Sequence, residues 1–283
     1  MNTIAIVTDS TCDIPHQEAE KAGITIVPLS VIHGDKSYLD GVDLTPATFY
    51  PLLKSSSVLP TTSQPSPAQF QKAYEKVLES ASEIVSIHIS SELSATSSSA
   101  RMAAEAVGDE RIHVIDSGFV SYALGMQVLE AARLAKEGLS APQIIDRLGR
   151  IRSKMELVFS LDTLQYLQKG GRIGLASAFL GTVLGIKPVL RIEGGHLVPA
   201  GKARGTKGAL TSIVDLLVRR YGKERVTAAV GHAAAPENAA MLGDMILARL
   251  NVEGPVRTFE IGPVVGTHSG PGAAGIVVLP VDY

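Results

Sequence analysis

Cysteine is almost missing from this sequence: Cys12 is the only one in 283 residues. A disulfide within the chain is therefore excluded, and a reducing cytoplasm is the expected setting. Charge imbalance is also missing. The formal net charge of −2 argues against nucleic acid as the general partner. No apolar run reaches the ~20 residues a bilayer span needs; the longest, "LASAFLGTVLG", stops well short. The opening "MNTIAIVTDS" lacks a basic leader and turns polar too early for a signal peptide. Phosphate-loop and nucleophile-elbow strings do not occur, and the seven histidines show no metal-ligand spacing.

What is present is apolar material in quantity. Hydrophobic residues make up 45% and charged residues 19%, enough to bury a sizeable core. Short β-rich runs such as "TIAIVTDS", "ITIVPLSVI", "EIVSIHIS" and "RIHVIDS" alternate with helical stretches such as "SPAQFQKAYEKVLESA" and "SYALGMQVLEAARLAKEG". That alternation implies crossover units and a mostly parallel sheet covered by helices on both faces. Beyond "LSAPQIIDRLGRIRSKM" the texture changes. "KPVLRIEGGHLVPAGKARG" reads as a hairpin turning at Gly194-Gly195, and helices and separated strands follow. The expectation is an α/β chain of two domains. Residues 1–155 would be a three-layer α/β/α domain with a mostly parallel sheet, and residues 156–283 an α+β domain with a mixed sheet. "IGLASAFLGTVLG" is expected to be an apolar helix.

Ligands of such sheets bind at the carboxyl ends of the strands. There the chain places "SSELSATSSSA", residues 90–100, with six serines and a threonine. Ser94 stands where a helix should start and can cap it, while the first amides of that helix suit an anion. "LPTTSQPSP" likewise precedes a helix. Capping alone and capping with anion binding fit these residues equally well. "GPGAAG" satisfies a dinucleotide pattern, but a strand follows it rather than a helix, so it reads as a tight turn. Asp9 and Asp13 fit capping and turn roles better than cation binding. Residues 169–207 carry seven basic residues against one acidic, either a solvated face or a site for phosphate or an acidic partner.

The segments "VTDSTCDIP", "TSQPSP", "SSELSATSSSA", "IDSGFVSYALG", "LDTLQYLQKGGRIG", "LGIKPVLRIEGGHL" and "GTHSGPGAAGI" together resemble the DegV family of bacterial lipid-binding proteins. They span residues 7–276, with Ala95 standing where the family usually has glycine. The resemblance implies a two-domain protein that encloses one long-chain fatty acid of the palmitate class. Its carboxylate would be held by Thr62 and Ser94, and its tail by an apolar tunnel in the second domain. Ser63, Arg172 and His268 would lie in the neighbourhood of the head group. A separate fatty acid kinase would phosphorylate the bound acid, so this chain would be a carrier without turnover, metal or cofactor. The alternative is a serine-dependent acyl hydrolase or transferase with Ser94 as nucleophile, His268 as base, and Asp116 or Asp9 orienting it.

Overall fold

The computed structural model describes residues 3–108, 110–180 and 185–283. In chain order the first half runs β1 (Ile4–Asp9), α1 (His16–Ala22), β2 (Ile24–Val27), β3 (Ser30–His33), β4 (Lys36–Leu39) and α2 (Pro46–Ser55). It continues with β5 (Thr61–Ser63), α3 (Pro67–Leu78), β6 (Glu83–His88), α4 (Thr96–Val107), β7 (Ile112–Asp116), α5 (Tyr122–Lys136) and α6 (Ala141–Lys154). The second half comprises β8 (Glu156–Ser160), α7 (Gln165–Lys169), β9 (Ile186–Glu193), β10 (His196–Arg204), α8 (Gly205–Tyr221) and β11 (Arg225–His232). It closes with α9 (Pro236–Arg249), β12 (Asn251–Val252), β13 (Arg257–Glu260), α10 (Pro263–Ser269) and β14 (Ala274–Pro280).

Two compact units result. One holds the residues through Thr45 together with Pro60–Ser153; the other holds Pro46–Leu59 together with Lys154–Tyr283. Residues 46–59, whose α2 the sequence did not announce, thus group with the second unit, where a single division near residue 155 was expected.

In the first unit the strands order β2-β1-β6-β7, every pair parallel. Such strands are buried on both faces, which is why β1 and β6 read as near-continuous apolar runs. Helices α3 and α4 pack on each other and against β6, while α1 and α5 pack together and α5 against β1. Phe70, Tyr74, Ile84, Ala100 and Ala103 fill the α3/α4 side, each large side chain contributing ~1.5–3 kcal/mol on burial. "ITIVPLSVI" is two strands and not the single one expected. Pro28 has no amide proton to continue the ladder, so β3 leaves for a separate antiparallel sheet, β4-β3-β5.

The second unit carries a mixed sheet, β10-β9-β8-β14-β11-β12, with β13 also paired to β11. Its β9–β10 hairpin turns at Gly194 and Gly195, with φ of 59° and 87°, a pair of positive values that two-residue hairpin turns need and glycine supplies. Leu210, Ile213 and Leu217 of α8 and Leu242 and Ile246 of α9 bury against Val158, Val189, Val230 and Ile276 of the sheet. The apolar helix expected over "IGLASAFLGTVLG" is a 3-10 turn at Gly174–Phe179, where glycine and serine weaken α propensity. Leu175 and Leu180 are exposed. Residues 181–184 of that segment lie outside the described residues.

Candidate functional site

Parallel pairing brings the carboxyl ends of β1, β6 and β7 to one edge, and each strand ends in an ionisable residue: Asp9, His88 and Asp116. Asp9 is fully buried. Its Oδ1 accepts from Thr11 N at 3.0 Å and Thr11 Oγ1 at 2.5 Å. Its Oδ2 accepts from Ile89 N at 3.0 Å and faces His88 Nδ1 at 3.0 Å. An acceptor with this set of donors places the imidazole proton on Nδ1. His88 Nε2 then accepts from Ser86 Oγ at 2.7 Å, and Ser86 in turn from the Tyr74 hydroxyl at 2.9 Å. The connectivity is that of a hydrolase triad, yet His88, Ser86 and Tyr74 are fully buried as well. No substrate reaches it. The chain of bonds ties β1, β6 and α3 together and fixes where the loop after β6 begins.

That loop holds the hydroxyl-rich segment, and most of its hydroxyls have structural work. Ser90 Oγ accepts from Glu92 N at 3.2 Å, while its main chain donates to Phe119 O and receives Leu93 N and Ser94 N. Ser91 Oγ donates to Asp116 Oδ2 at 2.5 Å. Helix α4 begins at Thr96, and its cap position is Ala95, with no side-chain cap. Ser94, one residue before the cap and not at it, accepts from Thr96 N at 3.3 Å and shares a 2.8 Å hydroxyl bond with Thr96 Oγ1. The pair owns two hydroxyl protons and uses one between them, which leaves one to donate elsewhere. Thr62 is half-buried in the middle of β5, opposite Val31. Ser63 is exposed, with Oγ 3.3 Å from Gln64 O. Capping of α3 falls to Ser66, which forms a reciprocal capping box with Gln69.

The second unit brings Arg172 and His268 together. Helices α7 and α10 pack against each other, and the His268 ring lies where a β-carbon on Gly170 would be. Glycine there is a requirement of that close approach. Burial first, and the Arg172 charge second, push the His268 imidazole down to about 4. It is therefore neutral at physiological pH. Arg172 is exposed, with Nη1 2.9 Å from Gly170 O. Of the other basic residues, Lys187 pairs with Asp162 at 2.5 Å, Arg191 pairs with Glu193 at 2.8 Å, and Lys202 lies 5.8 Å over the Phe179 ring.

Of the side chains the hydrolase alternative names, Asp9 is bonded to His88, Asp116 accepts from Ser91 Oγ and from Gly118 N at 2.8 Å, and the His268 imidazole is lowered to about 4. "GPGAAG" turns through Gly270 and Gly272, both at positive φ, directly into β14. Asp9 caps the 3-10 turn Ser10–Cys12, and Asp13 receives the Ser121 hydroxyl at 2.5 Å. Among the described residues no group of three or more His, Cys, Asp or Glu is placed to hold a metal ion. No helix of the described residues is long and apolar enough to cross a membrane.

These features define a class: a two-unit α/β protein with an all-parallel sheet in one unit, a mixed sheet in the other, and hydroxyls gathered at the parallel sheet's carboxyl edge. The DegV family profile matches residues 3–281, and the chain belongs to that family. It is 42% identical over 284 residues to a DegV domain-containing protein of Deinococcus radiodurans, covering 99% of each chain. A DegV family protein from Thermus thermophilus, described for its fatty acid binding, superposes with a TM-score of 0.94 at 36% identity, covering 99% of this chain and all of that one. DegV of Bacillus subtilis, described as a fatty acid binding protein, superposes with a TM-score of 0.88 at 35% identity and the same coverage.

Proposed function

We propose that this protein binds one long-chain fatty acid and presents it to a separate fatty acid kinase, without turnover of its own. The observation that supports this most is likeness along the whole chain to two solved fatty-acid-binding relatives. In this reading Thr62 and Ser94 receive the carboxylate, and the acyl chain occupies an apolar tunnel in the second domain. Ser63, Arg172 and His268 belong to the head-group neighbourhood. The local chemistry agrees with that assignment. The Ser94–Thr96 hydroxyl pair retains a proton to donate, beside a helix start that favours negative charge.

Magnitudes say which part does what. Burying ~14 methylenes contributes roughly 11 kcal/mol gross, against association costs of ~4 kcal/mol or more. Each charge-assisted hydrogen bond at the head adds only ~1.5–3 kcal/mol. The tail dominates affinity, and the hydroxyls decide which end of the ligand is offered for chemistry. Mass spectrometry of lipid extracted from freshly purified protein tests the reading. About one saturated or monounsaturated fatty acid per chain is expected, and a preparation without acyl mass that also fails to take up added palmitate overturns it.

A further inference from the structure

Strand β7 ends at Asp116, and the loop after it is bonded at several points to the loop after β6, the one that carries Ser94. His88 and Asp116 are register partners in the β6–β7 pair, so the two loops leave the sheet side by side. Ser117 N donates to His88 O at 3.0 Å, and Ser90 N donates to Phe119 O at 2.8 Å. Leu93 N and Ser94 N then donate to Ser90 O at 3.0 and 3.1 Å. The backbone of Ser94 thus hangs from Ser90, and Ser90 hangs from the turn at 117–119.

Asp116 spans the two loops with its carboxylate. Its Oδ2 accepts from Ser91 Oγ at 2.5 Å and from Ser91 N at 3.2 Å, while its Oδ1 accepts from Gly118 N at 2.8 Å. An ionised carboxylate offers two acceptor oxygens, whereas an amide of the same shape turns an N–H toward one of the two donor sets. Aspartate can therefore serve Ser91 and Gly118 at once, and asparagine cannot. Arg152 of α6 holds the same turn. Its Nη1 donates to Asp116 O at 3.3 Å, and its Nε lies 2.8 Å from where a β-carbon on Gly118 would be. Gly118 has φ of 68°, so glycine answers both the positive φ and the close guanidinium. Ser91 is exposed and Asp116 half-buried. The bridge covers little apolar surface, and what it fixes is the place of the loop.

We propose that Asp116 is a positioning residue for the carboxylate-binding loop: by holding Ser91 and Gly118 on its two oxygens, it sets where the Ser94–Thr96 hydroxyl pair presents its remaining proton. This rests on the fatty-acid reading, in which Ser94 meets the head group. Asp116 itself touches no ligand atom in this role. A donor already held in place needs no ordering when the anion arrives, so the gain falls on the carboxylate. The acyl tail, bound by burial, gains nothing from the bridge.

The test compares palmitate with hexadecanol, which keeps the tail and lacks the carboxylate. Binding of each to the full chain, freed of copurified lipid, is measured by calorimetry for wild type, Asp116→Asn, Ser91→Ala and Ser91→Thr. Asp116→Asn should weaken palmitate about tenfold, the worth of one hydrogen bond to a charged acceptor, and leave hexadecanol unchanged. Ser91→Ala should weaken palmitate by less, because Ser91 N keeps its bond to Oδ2. Ser91→Thr restores a hydroxyl and should match wild type. If Asp116→Asn does not fold, the two Ser91 variants decide by the same criterion, since Ser91 is exposed. The proposal is overturned if Asp116→Asn and Ser91→Ala bind palmitate as wild type does. It is equally overturned if palmitate and hexadecanol weaken by the same factor, since the loss is then one of general folding. Wild type that takes up neither ligand overturns the fatty-acid reading itself, and this role of Asp116 with it.

Discussion

His88 Nδ1 lies 3.0 Å from Asp9 Oδ2, and both side chains are completely buried. The two residues are 79 positions apart in the chain and sit at the ends of adjacent parallel strands. Their bond joins the loop after β1 to the loop that carries Ser94.

Removing the imidazole should therefore cost more than its volume. His88→Leu leaves the Asp9 carboxylate buried without one of its donors, and an unsatisfied buried acceptor costs ~1–3 kcal/mol, more when it is charged. His88→Asn can still offer an N–H towards Asp9 and should lose clearly less. Urea unfolding of both variants at neutral pH checks the order, and equal losses would show that the bond to Asp9 adds nothing beyond packing.

Ser94→Ala and Thr62→Val should each weaken fatty-acid binding by ~1–3 kcal/mol, the range for one hydrogen bond to a charged acceptor. Because the two hydroxyls are assigned to one carboxylate, the double variant should lose less than the sum of the single losses. Titration with a fluorescent fatty acid measures both. A double variant that binds as tightly as wild type places the carboxylate elsewhere.

His268 sets a pH dependence with a definite sign. Its folded value of about 4 lies below the ordinary 6.5, so the unfolded chain takes up a proton first as pH falls. Stability is complete above about 6.5 and declines between there and about 4, by on the order of 3 kcal/mol. His232, also lowered by burial, acts in the same sense. His268→Gln should flatten this limb of the stability curve. Arg172→Leu should raise the imidazole value, which ¹H NMR of the ring proton reads directly; an unchanged titration would show that the guanidinium does not act on the ring.

Lys202 and Arg204 are exposed; if the proposed kinase partner presents an acidic surface, they would steer it through long-range attraction. Neutralising either should slow association with a cognate kinase most at low ionic strength and leave fatty-acid affinity unchanged. Arg172→Leu should instead reduce phosphorylation of the bound acid even at saturating kinase. Rates measured against kinase concentration at two salt levels separate the two effects. Variants indistinguishable from wild type at both salts return these residues to a solvated face.

Much of the fold was legible along the chain because it depends on neighbours in sequence. Short apolar runs bounded by polar turns marked β1, β6, β7 and β14. The Gly194-Gly195 pair marked the hairpin, since two positive φ values select glycine locally. Errors arose where a local feature competed. Pro28 divided an apparent strand, and the small residues of Gly174–Phe179 gave a 3-10 turn in place of a helix. The start of α4 was misplaced by one position, because Ser94 satisfies a first-turn amide from just outside the cap.

By itself, then, the sequence determined the alternation of strands and helices, the change of texture in the second half, the membership of a family, and the crowding of hydroxyls after β6. Those follow from side-chain period, backbone preference and composition, which act over a few residues. Only the tertiary structure decided that Asp9 meets His88, that residues 46–59 group with the second unit, and that the His268 ring lies against Gly170 beside Arg172. Each of these is a meeting of groups far apart in the chain. Sheet pairing and core packing bring such groups together, and no local pattern records where they will meet.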